Sequence, residues 1–434
     1  MKNSFNFLSK AVFGLMVGAS MTFVGCSGLQ EEVGIDKGGF IQDEKTASPV
    51  AGAIPNRYIV VFKDEVKKEL ESIVAAKAAR GENGEHGDVF RSTKENVDAF
   101  VNLMAERAGV NEKSISNKYG HALCGFAAEL NDAQVKALMK NPNVAYIEPD
   151  YEVKLEDVVQ DVPNLTQAST MSTQTTPWGI TRVGGSVNMA GSSRWAWVID
   201  SGIDLDHPDL TVNTQYSRTF VSGTANADDQ NGHGTHVAGT IAARNNTIGV
   251  VGVAAGATVV SVRVFGATGG SSNSTIIAGI DYVTANAMAG DVANMSLGGP
   301  ASTATDDAVR RLAAKGVRCA IAAGNESQNA LNVSPARVNA TNVWTVSAFD
   351  VNNNFASFSN YSNPGSTNNT PIEVAAPGVS VNSCWLNGGY RSISGTSMAT
   401  PHVAGILLVN NGTVRTSGTV AGDRATPADP RAVR

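Results

Sequence analysis

Ser392-Ile393-Ser394-Gly395-Thr396-Ser397-Met398-Ala399-Thr400-Pro401-His402-Val403-Ala404-Gly405 is the stretch on which the reading of this chain turns. Gly395 permits a tight turn, and a helix is expected directly after it. Pro401 is compatible with that helix if it falls in the first turn, where its missing N–H costs nothing. Val403 to Val409 is almost wholly apolar, as in a helix that crosses the interior of a large domain. Ser397 then stands at a helix N-terminus, where unpaired backbone N–H groups and the positive dipole end favour a developing anion. Such a serine is either a cap or a nucleophile, and the stretch alone leaves both open.

With 434 residues the chain has room for about two or three domains. Its net charge of −6 gives no argument for nucleic acid or an anionic membrane surface. Lysine is plentiful before residue 160, and Lys315 is the only one after it, which divides the chain into two compositional parts. The cysteines are Cys26, Cys124, Cys319 and Cys384, without a C-x-x-C spacing, so zinc or a redox dithiol is not indicated. Cys319 lies in an apolar strand-like run and Cys384 follows another; both are read as buried free thiols, with a disulfide between them as the alternative.

Lys2 and Lys10 precede the apolar run Ala11 to Gly25, which describes a signal peptide over residues 1–25 better than a membrane span. Phe23-Val24-Gly25-Cys26-Ser27 resembles a bacterial lipobox, with cleavage before Cys26 and diacylation of its sulfur. Phe23 stands where an aliphatic residue is usual, so ordinary signal cleavage is the alternative. Residues 26–53 read as a linker. From 54 to 155 a β-α-β-α-β order is expected: strands at Tyr58–Phe62, Leu123–Leu130 and Val144–Ile147, and helices over 94–108 and from Asn131. That order predicts a small α+β (ferredoxin-like) domain with one sheet face covered by helices. Residues 156–172, rich in Gln, Ser and Thr, read as an exposed, cleavable linker.

From residue 173 to 434, strand-like runs alternate with helix-like segments, which predicts an α/β domain with a largely parallel sheet. Trp195 to Ile199 is its first central strand, and Asp200 sits at that strand's carboxyl end, where open parallel sheets gather functional groups. Asp229-Gln230-Asn231-Gly232-His233-Gly234-Thr235-His236 leads into a helix. The His233 and His236 pair lacks the glutamate and the i, i+4 geometry of a helix-borne zinc motif, so His236 is read as structural.

Asp200-Ser201-Gly202, His233-Gly234-Thr235-His236-Val237-Ala238-Gly239 and the Ser397 stretch, in this order, resemble the three signatures of subtilases, nearest the proteinase K branch in wording. The segment Arg57 to Phe62 with Val144 to Asp150 resembles the inhibitory propeptide of the same family. The resemblance implies a catalytic Asp200, His233 and Ser397 set, with Asn325 as the oxyanion donor. It implies substrate pairing along Ser296-Leu297-Gly298 and along Gly270, with Ala322, Ala323 and Gly324 walling an apolar pocket. Glu326 is either an attractor of basic residues or a solvated acid.

Arg244-Asn245-Asn246-Thr247-Ile248-Gly249-Val250 resembles the family's calcium loop. The resemblance implies a structural Ca2+ on Gln174, Asp209, Arg244, Asn246, Ile248 and Val250, the alternative being an ordinary Asn-rich turn. Glu373 matches a second, weaker cation position. After Gly405 the polar tail is short, and the helix that usually covers the sheet there is expected to be missing. The expected protein is an exported serine endopeptidase, made as a zymogen cut near residues 168–173. It would be monomeric, act on polypeptides and be held by its own propeptide, with the precursor anchored if Cys26 is lipidated. A catalytically inactive peptide-binding protein and an esterase are the rival readings.

Overall fold

Ile59, Val60, Val61 and Phe62 are all buried, although successive residues of a strand point to opposite faces. The computed structural model, which describes residues 52–79, 86–155, 173–362 and 371–434, shows why. The signal segment, Cys26 and the linker 156–172 lie outside the described residues. The small domain runs β1 (Ala53–Phe62), α1 (Asp64–Ala79), α2 (His86–Arg107), β2 (Ile115–Tyr119), β3 (Gly125–Glu129), α3 (Asp132–Met139) and β4 (Val144–Lys154). Val60 and Phe62 pack on Leu70, Phe100 and Met104 of its own helices. Ile59 and Val61 enter a cluster that includes Ile276, Ile280 and Leu312 of the large domain. The run is apolar throughout because both sheet faces are covered, where the sequence led us to expect one.

Two elements exceed the expected order. α1 follows β1 directly, and β2, Ile-Ser-Asn-Lys-Tyr, buries only Tyr119, so it carries no strand-like apolar signal. α3 is closed by a capping box between Asn131 and Gln134, as its Asn-Asp start suggested.

The large domain contributes β5 (Ala196–Asp200), α4 (His233–Ala242), β6 (Thr258–Arg263), β7 (Gly270–Ser272), α5 (Asn273–Asn286), β8 (Val292–Met295), α6 (Thr303–Ala314), β9 (Arg318–Ala322), β10 (Val343–Phe349), β11 (Val374–Pro377) and α7 (Thr396–Val409). Strands β11-β10-β9-β8-β5-β6 lie side by side and parallel. Along β5 the side chains alternate between two cores. Ala196 and Val198 join the core beneath α4 and α7, while Trp197 and Ile199 join the one beneath α5 and α6. Both faces are therefore apolar, which is what a parallel sheet wrapped by helices demands.

No helix follows α7 among the described residues. In its place β12 (Arg415–Thr419) and β13 (Pro430–Val433) form an antiparallel hairpin that joins β11 through the pair Ala375 and Arg431. Ala432 is buried in the core beneath α7, and Val420 packs on Phe349 and Ala375. The tail that reads as polar thus covers the sheet edge with a few inward residues. Cys319 and Cys384 are buried free thiols, and Cys124 is buried as well. No helix among the described residues is long and apolar enough to cross a membrane.

Candidate active site

β5 delivers Asp200, wholly buried, to a point where its Oδ1 lies 2.8 Å from His233 Nδ1. A carboxylate can only accept, so Nδ1 carries the proton and Nε2 is left as the base. Burial pushes the imidazole down, but the charge and hydrogen bond of Asp200, with the charge of Asp229, outweigh it and leave the pKa raised. His233 opens α4, and the helix approaches β5 so closely that a Cβ on Gly234 would stand 2.0 Å from the Gly202 carbonyl oxygen. A side chain there would push the imidazole away from Asp200.

Asp229 and Ser201 hold that helix start, and the sequence reading gave neither a role. Asp229 Oδ1 accepts from Ser201 Oγ at 2.9 Å, Asn231 N at 2.9 Å and Gly232 N at 3.0 Å. Its Oδ2 accepts from Thr235 N at 3.0 Å and Thr235 Oγ1 at 2.6 Å, while Gly234 N donates to Ser201 Oγ at 2.9 Å. An Asp just ahead of a helix start was the available signal. His236 is structural, its Nε2 facing the Val381 and Arg391 carbonyls at 2.9 and 3.1 Å, and burial holds its pKa down to about 3.

Ser397 is the second residue of α7 and 8% exposed. Its Oγ donates to the Ser296 carbonyl at 3.3 Å. Pro401 lies in the second turn of α7 and not in the first, which corrects the expected placement. The acceptor it leaves without a helical N–H is the carbonyl of Ser397, four residues back. Ser296 Oγ donates to that carbonyl at 2.8 Å, and Asn294 Nδ2 donates to Ser296 Oγ at 2.9 Å. Asn325 follows the end of β9. Its Oδ1 accepts from Thr396 N at 2.8 Å and Thr396 Oγ1 at 2.9 Å, and its Nδ2 lies beside Gly395. The donor end of the amide therefore sits at the turn that presents Ser397.

The small domain reaches this site through β4. Its residues pair antiparallel with β7: Lys154 with Gly270, Val153 with Ser271 and Glu152 with Ser272. Leu155 N continues the ladder to Gly269 O at 2.8 Å. On the other side, Val153 Cγ2 lies 3.0 Å from where a Cβ on Gly299 would stand, so a side chain there would press on the strand. Leu297 is buried and Gly298 lies against Val333. Ala323 is packed in a cluster with Ala330, Val333, Ala336 and Ile372, and Gly324 N donates to Thr396 Oγ1 at 3.2 Å. Glu326 is exposed, and its carboxylate accepts from Asn360 Nδ2 at 2.6 Å.

Three buried carboxylates fasten the two domains. Glu148 accepts from Ser302 Oγ at 2.6 Å, Thr303 N at 3.0 Å and Ala304 N at 3.3 Å, at the start of α6. Burial raises its pKa to about 7 against those donors, with Asp306 adding to the rise. Asp150 accepts from Ser274 N at 3.0 Å and Ser274 Oγ at 2.6 Å, at the start of α5, and Arg57 lies 3.2 Å away. In return Asp281 of α5 accepts from the backbone of Gly120, His121 and Ala122 at 3.2, 2.8 and 2.6 Å.

The 244–250 loop converges with Gln174 and Asp209. Gln174 Nε2 lies 2.8 Å from the Arg244 carbonyl and 3.4 Å from that of Val250, so both carbonyls face one amide head. Asp209 accepts from Asn246 Nδ2 at 2.7 Å and from Val250 N at 3.1 Å, and the Asn246 Oδ1 accepts from Ile248 N at 2.8 Å. The amide heads here turn their nitrogens to those acceptors; with their oxygens turned inward, one carboxylate, two amides and loop carbonyls make a donor set of the kind a hard cation such as Ca2+ takes. Glu373 instead accepts from Thr345 N at 2.6 Å, and burial holds its carboxyl up to about 8.

The family profile described as "Subtilase family" matches residues 197–413, and that described as "Peptidase inhibitor I9" matches residues 57–156. The chain is 38% identical over 367 residues to alkaline serine exoprotease A of Vibrio alginolyticus, covering 82% of this chain and 60% of that protein. It is 41% identical over 289 residues to M-protease of Shouchella clausii (strain KSM-K16), covering 65% of this chain and 68% of the relative. A solved cold-adapted subtilisin-like serine proteinase matches with a TM-score of 0.51 and 37% identity, over 58% of this chain and 96% of the other.

Proposed function

The chain belongs to the subtilase family, and on that premise we propose that it is an exported serine endopeptidase made as a self-processing precursor. The observation that carries the reading is a peptide strand, Glu152–Lys154, laid along Ser272–Gly270 beside the buried Asp200 and His233 couple. A site that adds an extended peptide to its own edge recognises main chain, so it suits polypeptides of varied sequence. The precursor domain occupies the place of a substrate and is thereby the inhibitor.

In the proposed reaction His233 Nε2 takes the proton of Ser397 Oγ, which leaves the Ser296 carbonyl and attacks the scissile carbonyl carbon. Asp200 stabilises the imidazolium that forms, consistent with the raised pKa of His233. The oxyanion is met by Asn325 Nδ2 and the Ser397 N–H at the positive end of α7. Collapse expels the amine, protonated by His233, and leaves an acyl-enzyme that water hydrolyses by the reverse sequence. The small residues Ala322, Ala323 and Gly324 favour broad specificity with an apolar preference.

Gln174, Asp209 and Asn246, with the Arg244, Ile248 and Val250 carbonyls, would hold a structural Ca2+ that ties the chain after the linker to the 244–250 loop. The linker 156–172 is the proposed cleavable segment, cut near residues 168–173 so that the propeptide leaves and the mature chain begins there. If Cys26 is lipidated, the anchor leaves with the propeptide and the enzyme is released as a monomer. Expression of Ser397→Ala tests the reading. We expect an unprocessed precursor and casein hydrolysis lowered on the order of 10⁶-fold, the scale set by subtilisin itself. Processing and hydrolysis at wild-type rates would refute it.

A further inference from the structure

Pro401 makes an unusual demand on the residue it serves. A helical carbonyl bonds the N–H four residues on, and for Ser397 that position is a proline. The carbonyl lies in the interior, where an unpaired acceptor is costly. Ser296, fully buried at the end of β8, supplies the donor from outside the helix at 2.8 Å. A hydroxyl has one hydrogen, and Asn294 Nδ2 fixes its direction by donating to Ser296 Oγ at 2.9 Å. The Ser296 proton is therefore committed to Ser397. The same residue returns its own carbonyl to Ser397 Oγ at 3.3 Å, so the two serines are joined by reciprocal bonds.

We propose that Ser296, oriented by Asn294, is a positioning residue for the nucleophile, replacing the helical bond that Pro401 deletes. It clamps the Ser397 peptide unit from β8 and fixes where Oγ and the N–H point. This role is additional to the backbone pairing with substrate expected of the Ser296 strand, and it rests on the proposed acyl-transfer reading. Two features make the device specific to its place. Its acceptor is the nucleophile's own carbonyl, and its donor lies on the strand that leads to Gly298 and Gly299, against which the substrate-like Val153 packs. A shift of this peptide unit would misplace the attacking oxygen and an oxyanion donor together, which lowers turnover without weakening peptide binding.

The test is a double-mutant cycle on the full-length precursor, matured in place, with burst kinetics on an activated ester and a peptide substrate. Ser296→Ala should slow acylation about 10- to 100-fold with KM within about twofold and the kinetic pKa of His233 unmoved. Pro401→Ala restores an N–H to the Ser397 carbonyl, so adding it to Ser296→Ala should recover at least about tenfold of that loss. Asn294→Leu, which keeps Ser296 but frees its hydroxyl, should give a smaller acylation defect and serves if Ser296→Ala does not mature. Additive losses in the cycle, or Ser296→Ala acylating within twofold of wild type, would overturn the proposal. Loss of the burst in the wild-type enzyme would instead remove the serine-protease reading beneath it.

Discussion

The two faces of the large sheet treat their helix N-termini in opposite ways. On one face α7 keeps its start for chemistry: Asn325 bonds Thr396, Ser296 bonds the Ser397 carbonyl, and every partner comes from the same domain. On the other face α5 and α6 receive Asp150 and Glu148 from the propeptide strand. Those helices also have caps of their own, since Ser272 and Ser302 accept from Thr275 N and Thr305 N at 3.3 and 3.1 Å. The foreign carboxylates can leave without stripping either helix of its cap. The catalytic face is built to be permanent and the inhibitor face to be uncovered.

That contrast sets the order of expected effects. Asn325→Ala removes a donor from the permanent face, and kcat should fall about 10²- to 10³-fold with little change in KM, as steady-state kinetics would read. Equal loss in KM would move Asn325 from the transition state to ground-state binding. On the removable face, Asp281→Ala leaves three propeptide N–H groups short of their acceptor. The processed propeptide should dissociate about 10- to 100-fold faster, shortening the lag in progress curves, while fully matured enzyme keeps its kcat within about twofold. A mature enzyme crippled by that change would erase the distinction between the faces.

The smallest effect is one of pH. The Glu148 carboxyl is raised to about 7 by burial in the complex, and its ordinary value when free is about 4.3. The complex therefore binds the proton more tightly than the separated parts do. Its stability from this group is full below the free value and is lost as pH rises through about 7. The activation lag should shorten between those two limits and level off above, and Glu148→Gln should flatten that part of the profile. A lag that lengthens with rising pH would reverse the assignment.

The residues proposed for the catalytic face stood out in the sequence because they fall in three long motifs at strand and helix ends, where backbone geometry restricts the choice of residue. Its supports were not. Asp229 works through five hydrogen bonds that a single acidic letter ahead of a helix does not announce. Pro401 looks like a first-turn residue until the partner of the Ser397 carbonyl is seen. On the other face, the unbroken apolar run Ile59 to Phe62 held the information that both faces of its sheet are covered, but nothing local says by what. The hairpin at β12 and β13 was hidden for the opposite reason: β12 is exposed along its whole length, and Ala432 alone marks the inward side.

One hydroxyl, that of Ser397, is the proposed nucleophile of the permanent face. Labelling the matured enzyme with a fluorophosphonate, followed by mass mapping of its peptides, tests it directly. One adduct is expected, on the peptide carrying Ser397, formed in step with loss of casein hydrolysis and greatly slowed by His233→Ala. An adduct on another residue, or hydrolysis that survives complete labelling, would contradict it.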